Sequence, residues 1–470
     1  MNTSLIWIIF PAVIAVVCLF FQRRETLVAI LGVFTALTLA ALAYWLPSEE
    51  LWTIGPWNLS FSDTWSVLGR QFVLSETDRP ALIVLYLAVG LWFGAVPIAR
   101  PGQLFVPFGL GFVALLTAAI AVDPFLYAAL LVEMAVLLSI PTLITPGSRV
   151  GRGLLRYLTF QTLGLPFILF AGWMLTGVEV TPGDQGLIVR AGVFLGFGFA
   201  LLLAVFPFHT WIPMLASESH PYAVGFVFLL LPGAIGVFGL SFLERYAWLR
   251  DAPGTYTLLL VVGAVMVFMS GLWSALQRDL GRLMGFGLLL DSGFSFLALS
   301  QTEGDQAVTF LVLFFAALIP RGLSLGIWAL CLSFLRRKVG GLDFGAVRGC
   351  GREHPVLLAS MAIAIFSLAG LPVLSSFPIR LAILKSLSLS YPQVVALALV
   401  GSLGLVTGGI RALGEFLDHP ESRKWRLSEP GLLTIYLLIG SIGLILMGLA
   451  PQLLTETIAG LLVRFGGMNP

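Results

Sequence analysis

The 470-residue sequence predicts an all-α integral membrane protein of about fourteen transmembrane helices, and three observations lead there. First, 58% of the residues are hydrophobic and only 11% are charged, whereas a soluble domain carries roughly 25% charge. In water such a chain would expose large adhesive patches. Second, the apolar residues come in runs of about 20, the length of helix that crosses a bilayer. Third, Lys and Arg residues fall on alternate loops in a ratio of roughly three to one. The net charge of +2 is too small to suggest a nucleic-acid partner. Cys18, Cys331 and Cys350 lie far apart, and His209, His220, His354 and His419 form no ligand spacing. Neither a disulfide framework nor a metal site is expected.

In order, the apolar runs cover 4–21, 26–46, 80–99, 103–122, 124–145, 154–176, 187–207, 222–243, 255–276, 282–300, 306–335, 356–390, 393–413 and 431–452. The first run follows no basic region and carries no small-residue cleavage site, so Leu5 to Phe21 reads as a retained span rather than a signal peptide. Placing the N-terminus outside puts Arg23 and Arg24 in the first cytoplasmic loop, together with later groups such as Arg278, Arg336, Arg337 and Lys338. An error of one span would scramble this bias downstream, so it supports both the count and an outside location for both termini. The long outer connection, 47–79, holds Trp52, Trp57 and Trp65. It reads either as a hairpin lying along the membrane surface or as an ordinary loop with aromatic anchors.

Two runs look interrupted. Pro207 and Pro213 fall at the end of the seventh, and Pro372 and Pro378 fall within the twelfth. Proline removes a backbone donor and clashes with the preceding turn. A break at membrane depth survives only where protein or a water-filled cavity shelters it. Matching breaks in two halves point to an inverted-repeat transporter; isolated proline kinks are the plainer alternative. Gly236, Gly239, Gly401 and Gly404 read as close helix contacts.

Ionisable groups inside the spans are the candidate functional residues, because they are costly in hydrocarbon. Glu133 lies mid-span in the fifth run, either on a proton path or protonated in a helix seam. Asp291 in the tenth run and Arg321 in the eleventh sit at similar depths, as an ion pair or as part of a path. Arg380 and Lys385 follow the break in the twelfth, and Lys385 is near enough to the outer end to snorkel. His209 lies at the first break.

The string Phe206-Pro207-Phe208-His209-Thr210-Trp211-Ile212-Pro213 resembles the PLHxWLP signature of the antiporter-like membrane subunits of respiratory complex I. That family is shared with multisubunit Na+/H+ antiporters and membrane-bound hydrogenases. Four further segments resemble the family in order: Glu133-Met134, Gln277 to Phe286, Arg321-Gly322-Leu323-Ser324 and Ser367 to Pro372. The resemblance runs from about residue 60 to residue 415. It implies two inverted five-helix repeats (103–243 and 255–415), with helices 7 and 12 broken. These would be flanked by N-terminal spans (1–100) and by a basic cytoplasmic loop, last span and tail (416–470). It implies a non-redox subunit of an NADH-quinone oxidoreductase in a prokaryotic inner membrane, passing protons, or Na+, along a midplane path. Its partners would be other membrane subunits, and it would need no cofactor and have no catalytic site of its own.

The chain departs from this family at telling positions. The family's seventh- and eighth-span lysines fall on Leu202 and Ala234, and the twelfth-span carrier falls on Arg380. A lysine can release a proton when desolvated; leucine and alanine carry none, and arginine keeps its own. Two readings therefore stand beside each other: an active proton-translocating subunit, and a degenerate structural subunit. A subunit of an antiporter or hydrogenase complex is a further alternative.

Overall fold

The computed structural model describes residues 3–45, 51–54, 57–60, 64–67, 69–74, 78–123, 126–144, 150–180, 185–302, 307–418 and 427–464. The helices are α1 (Thr3–Phe20), α2 (Glu25–Trp45), α3 (Arg79–Gly94), α4 (Val96–Ala99), α5 (Phe105–Ala121), α6 (Tyr127–Leu143) and α7 (Arg152–Val180). Then come α8 (Gln185–Leu202), α9 (Trp211–Glu218), α10 (Pro221–Arg245), α11 (Ala247–Arg250), α12 (Pro253–Leu276), α13 (Leu280–Leu299) and α14 (Ala307–Val339). The chain continues through α15 (Phe344–Val347), α16 (Pro355–Ala369), α17 (Ser376–Ser390), α18 (Pro392–Leu417), α19 (Gly431–Leu449) and α20 (Pro451–Arg464). Among the described residues, eight helices are long and apolar enough to cross a bilayer, and five more apolar helices are shorter.

The all-α expectation needs one amendment. The connection between α2 and α3 forms two antiparallel hairpins, β1 (Leu51–Ile54) with β2 (Trp57–Ser60), and β3 (Thr64–Val67) with β4 (Arg70–Val73). A two-residue strand, β5 (Val122–Asp123), extends the second hairpin from the end of α5. The hairpin expectation thus holds for the backbone, while the side chains of Trp52, Trp57 and Trp65 lie outside the described residues. So does the centre of the basic loop after α18. Beyond α19, the helix α20 covers Pro451–Arg464.

Both expected breaks are present. The first lies between α8 and α9, where residues 203–210 form turns and a single 3-10 turn. The second lies between α16 and α17, at residues 370–375. Pro207 and Pro372 fall within the breaks. Pro213 and Pro378, expected to help break these helices, instead occupy the third position of the helix that follows. The first four N–H groups of a helix have no intrahelical partner, so a proline there forfeits nothing. Each break also contains a non-glycine residue with positive φ, Ala204 at 54° and Val373 at 74°. Such a backbone is rare for a β-branched residue and is held by its surroundings.

Helices α12 and α18 approach closely where their glycines face. A Cβ added to Gly271 of α12 would lie 2.0 Å from the Gly401 carbonyl oxygen of α18, and one on Gly404 would lie 2.2 Å from the Gly271 carbonyl. These contacts carry the close-packing role expected of Gly401 and Gly404. Gly236 and Gly239 differ, because phenylalanine rings rather than backbone lie opposite them. The helix after the first break is itself wedged against α13. Added Cβ atoms on Gly281 and Gly285 would meet Ala216 O at 2.3 Å and Pro213 Cα at 2.9 Å. Arg336, at the end of α14, donates to the carbonyls of Glu218 (3.0 Å) and Ser219, closing the end of α9. The first break is thereby locked to elements of the second half of the chain.

Candidate functional site

Three helices of the second half bring their charged side chains to one point. Asp291 lies in the middle of α13, Arg321 in the middle of α14 directly after Pro320, and Arg380 in the second turn of α17, just past the break. Arg321 Nε donates to Asp291 Oδ2 at 2.5 Å, and Arg380 Nη2 donates to Asp291 Oδ1 at 2.9 Å. All three residues are at most 4% exposed. Arg321 Nη2 also donates to Ser295 Oγ at 2.5 Å. The Arg380 guanidinium stacks 4.2 Å above the Phe294 ring, a favourable contact for a desolvated cation. Gly370, at φ +78°, makes room for it, since a Cβ there would stand 2.7 Å from Arg380 Cδ.

Burying charges costs several kcal/mol per ion unless each is paired and hydrogen-bonded. Both oxygens of Asp291 are engaged, one by each guanidinium. A hydroxyl chain runs beside this cluster. Ser324 Oγ, one turn after Arg321, donates to Ser367 Oγ at 3.0 Å, and Ser367 bonds Ser375 at 2.9 Å. All three serines are buried, and Ser375 closes the second break. A hydroxyl both donates and accepts, which suits such a row to passing protons or to holding the break shut.

The first half is built differently. Glu133 of α6 accepts from Thr162 Oγ1 of α7 at 2.6 Å and is only half-buried. Leu202 and Ala234 are buried at 3% and 5% exposure. Beside Leu202, Gln161 is fully buried and donates to the Leu202 carbonyl at 3.0 Å, while its own Oε1 has no partner among the described residues. His209 stacks on Phe206 with ring centroids 3.6 Å apart, and Phe286 of α13 lies 6.2 Å away. Its buried Nδ1 has no hydrogen-bond partner among the described residues.

Of the residues expected from sequence, the structure therefore unites Asp291, Arg321 and Arg380. Glu133 and His209 have other neighbours. Lys385 is exposed on α17, and among the described residues no hydrogen bond or ion pair joins it to the cluster; an exposed lysine there suits snorkelling. Sequence reading overlooked Ser295, Ser324, Ser367, Ser375, Thr162 and Gln161. The available signal was spacing, as Ser295 follows Asp291 by four residues and Ser324 follows Arg321 by three, on the same helix faces.

At the loop ends the charges serve packing. Asp279 caps α13, accepting from the Arg282 N–H at 2.8 Å, and burial raises its carboxyl above the usual range. His220 precedes α10. Burial first, then the nearby cations Arg336 and Arg337, push its imidazole down to about 4. Glu429 accepts from the N–H groups of Val356 (2.9 Å) and Leu357 (3.3 Å), tying the start of α16 to the segment that enters α19.

Comparison with known proteins agrees with this architecture. The family described as NADH:quinone oxidoreductase/Mrp antiporter, TM matches residues 155–405, from α7 to α18. The NADH-quinone oxidoreductase subunit N 2 of Acidobacterium capsulatum is 27% identical over 328 residues, covering 64% of this chain and 65% of that protein. Across the first three such relatives, the chain matches between 38% and 65% of their length. A chain of respiratory complex I from Thermus thermophilus with bound NADH superposes with a TM-score of 0.75 at 22% identity, over 98% of this chain and 99% of that one. One from the Mrp complex of Dietzia sp. DQ12-45-1b gives 0.77 at 18% identity, over 98% and 97%. These two likenesses establish the fold. With a match over more than half its length, spanning every helix that holds the Asp291 cluster, the chain belongs to the NADH:quinone oxidoreductase/Mrp antiporter transmembrane family.

Proposed function

We propose that the chain is a membrane subunit of a complex I-like quinone oxidoreductase, contributing to proton translocation across a prokaryotic inner membrane. The observation that carries this reading is the buried Asp291–Arg321–Arg380 cluster beside a broken helix. Charges and interrupted backbone at membrane depth are expensive, and transport is their usual reason. Five helices around each break (103–243 and 255–415) act as inverted repeats. With α8–α9 and α16–α17 each counted as one broken span, the bundle makes about fourteen crossings and leaves both termini outside. In this reading Glu133 is the exchange carboxylate of the first half, Asp291 the central relay and Arg380 a fixed charge that tunes it. His209 sits at the seam between halves. The half-open face bearing Glu133 is covered by a neighbouring membrane subunit, since a carboxyl facing lipid would be costly. The redox chemistry belongs to other subunits.

A degenerate structural role is the second reading, and Leu202 and Ala234 favour it, as apolar residues at positions where the family carries lysine. Removing Asp291 and Arg380 together (Asp291→Asn with Arg380→Gln) leaves the net charge of the cluster unchanged and separates the two. Proton pumping per quinone reduced falls severalfold, with assembly intact, if the chain conducts. Unchanged pumping would establish the structural role.

A further inference from the structure

The ion cluster does not balance. One carboxylate, Asp291, faces two guanidinium groups that keep their charge, and no other carboxylate among the described residues bonds to either arginine. Two nitrogens of Arg380, Nε and Nη1, have no acceptor among the described residues, and the residue is 4% exposed. A surplus positive charge buried at this depth is costly without a counter-charge.

Beside it lies a small cavity with room for about one water-sized group. Arg380, Asp291, Ser295 and Ser376 line it, along with the rings of Phe294 and Phe314. Ser376 opens α17, a helix of 15 residues, so the positive end of that helix dipole also faces the cavity. The one negative group on the wall, Asp291, already has both oxygens engaged by arginine. The remaining wall is apolar, which suits a weakly hydrated ion, and the space is too small for a phosphate.

We propose that this cavity binds a small monovalent anion of chloride size, which balances the Asp291–Arg321–Arg380 cluster. The site rests on charge and geometry alone and stands whether or not the chain conducts protons. Arg380 and the Ser376 hydroxyl hold the ion, and Asp291 sets its limit by repulsion, which keeps binding weak and exchangeable.

The test uses the purified full chain with bromide as the probe. Bromide soaked into crystals should give an anomalous peak in the cavity between Arg380 and Ser376. In gluconate buffer of constant ionic strength, the melting temperature should rise with added bromide or chloride and saturate. Arg380→Gln should abolish this halide dependence whatever its starting stability. Ser376→Ala should weaken apparent halide affinity severalfold, and Lys385→Gln, on the same helix but exposed, should leave it unchanged. An empty cavity at high bromide, or melting indifferent to halide in the unaltered chain, would overturn the assignment.

Discussion

The two halves of the bundle share a plan and differ in their chemistry. In the first, a carboxylate on α6 meets a hydroxyl on α7, and the pair is half open. In the second, a carboxylate on α13 meets a guanidinium on α14, a second arginine arrives from the far side of the break, and the group is sealed. Each half breaks one helix, holds a non-glycine residue at positive φ in the break, and restarts with proline at the third position. The common features are those of backbone and geometry. The differing ones are side chains, and so the halves can diverge in role without diverging in fold.

The contrast can be broken at several points, and the largest effect belongs to the sealed half. Asp291→Asn leaves two buried arginines without their anion and should cost about 3–5 kcal/mol of stability, seen as lost yield and a lowered melting point in detergent. A melting point equal to that of the unaltered chain would mean the cluster is not closed as described. Gly271→Ala tests the scaffold of the same half. Its Cβ meets backbone at 2.0 Å, and overpacking of this kind costs roughly 1–3 kcal/mol. Gly239→Ala, opposite a phenylalanine ring, should be milder in the same melting assay.

The join between halves responds to pH. The His220 imidazole is held near 4 in the folded chain against 6.5 unperturbed, so the fold favours its neutral form. Its contribution is present above about pH 6.5 and fades as pH falls toward 4, because the unfolded chain binds the proton first. Melting temperature should therefore drop between pH 6.5 and 4, and His220→Gln should flatten that slope. The smallest stability effect belongs to the open half. Glu133→Gln keeps an acceptor for Thr162 and should change stability by less than about 1 kcal/mol.

How much of this was legible in the sequence follows the same division. Hydropathy located the apolar helices because the bilayer constrains their length directly. Prolines flagged both breaks, although Pro213 and Pro378 mark helix restarts rather than the breaks themselves. Asp291, Arg321 and Arg380 stood out because charge in an apolar run has few explanations. Their meeting spans 89 positions of sequence between Asp291 and Arg380, and spacing along one helix says nothing of distance across three. Ser324, Ser367 and Ser375 were not legible for a simpler reason: a serine in a span is cheap and common, and only its neighbours make it part of a chain. Lys385, close to Arg380 in sequence, lies on an exposed face of α17, whereas Arg380 is buried.

The most direct test of proton transfer through this chain is Glu133→Gln in the assembled complex, with proton uptake and quinone reduction measured together in sealed vesicles. Protons moved per quinone reduced should fall severalfold while assembly and quinone reduction persist, because the open carboxylate is lost and the scaffold is not. An unchanged ratio in a fully assembled complex would contradict a role for Glu133 in proton exchange.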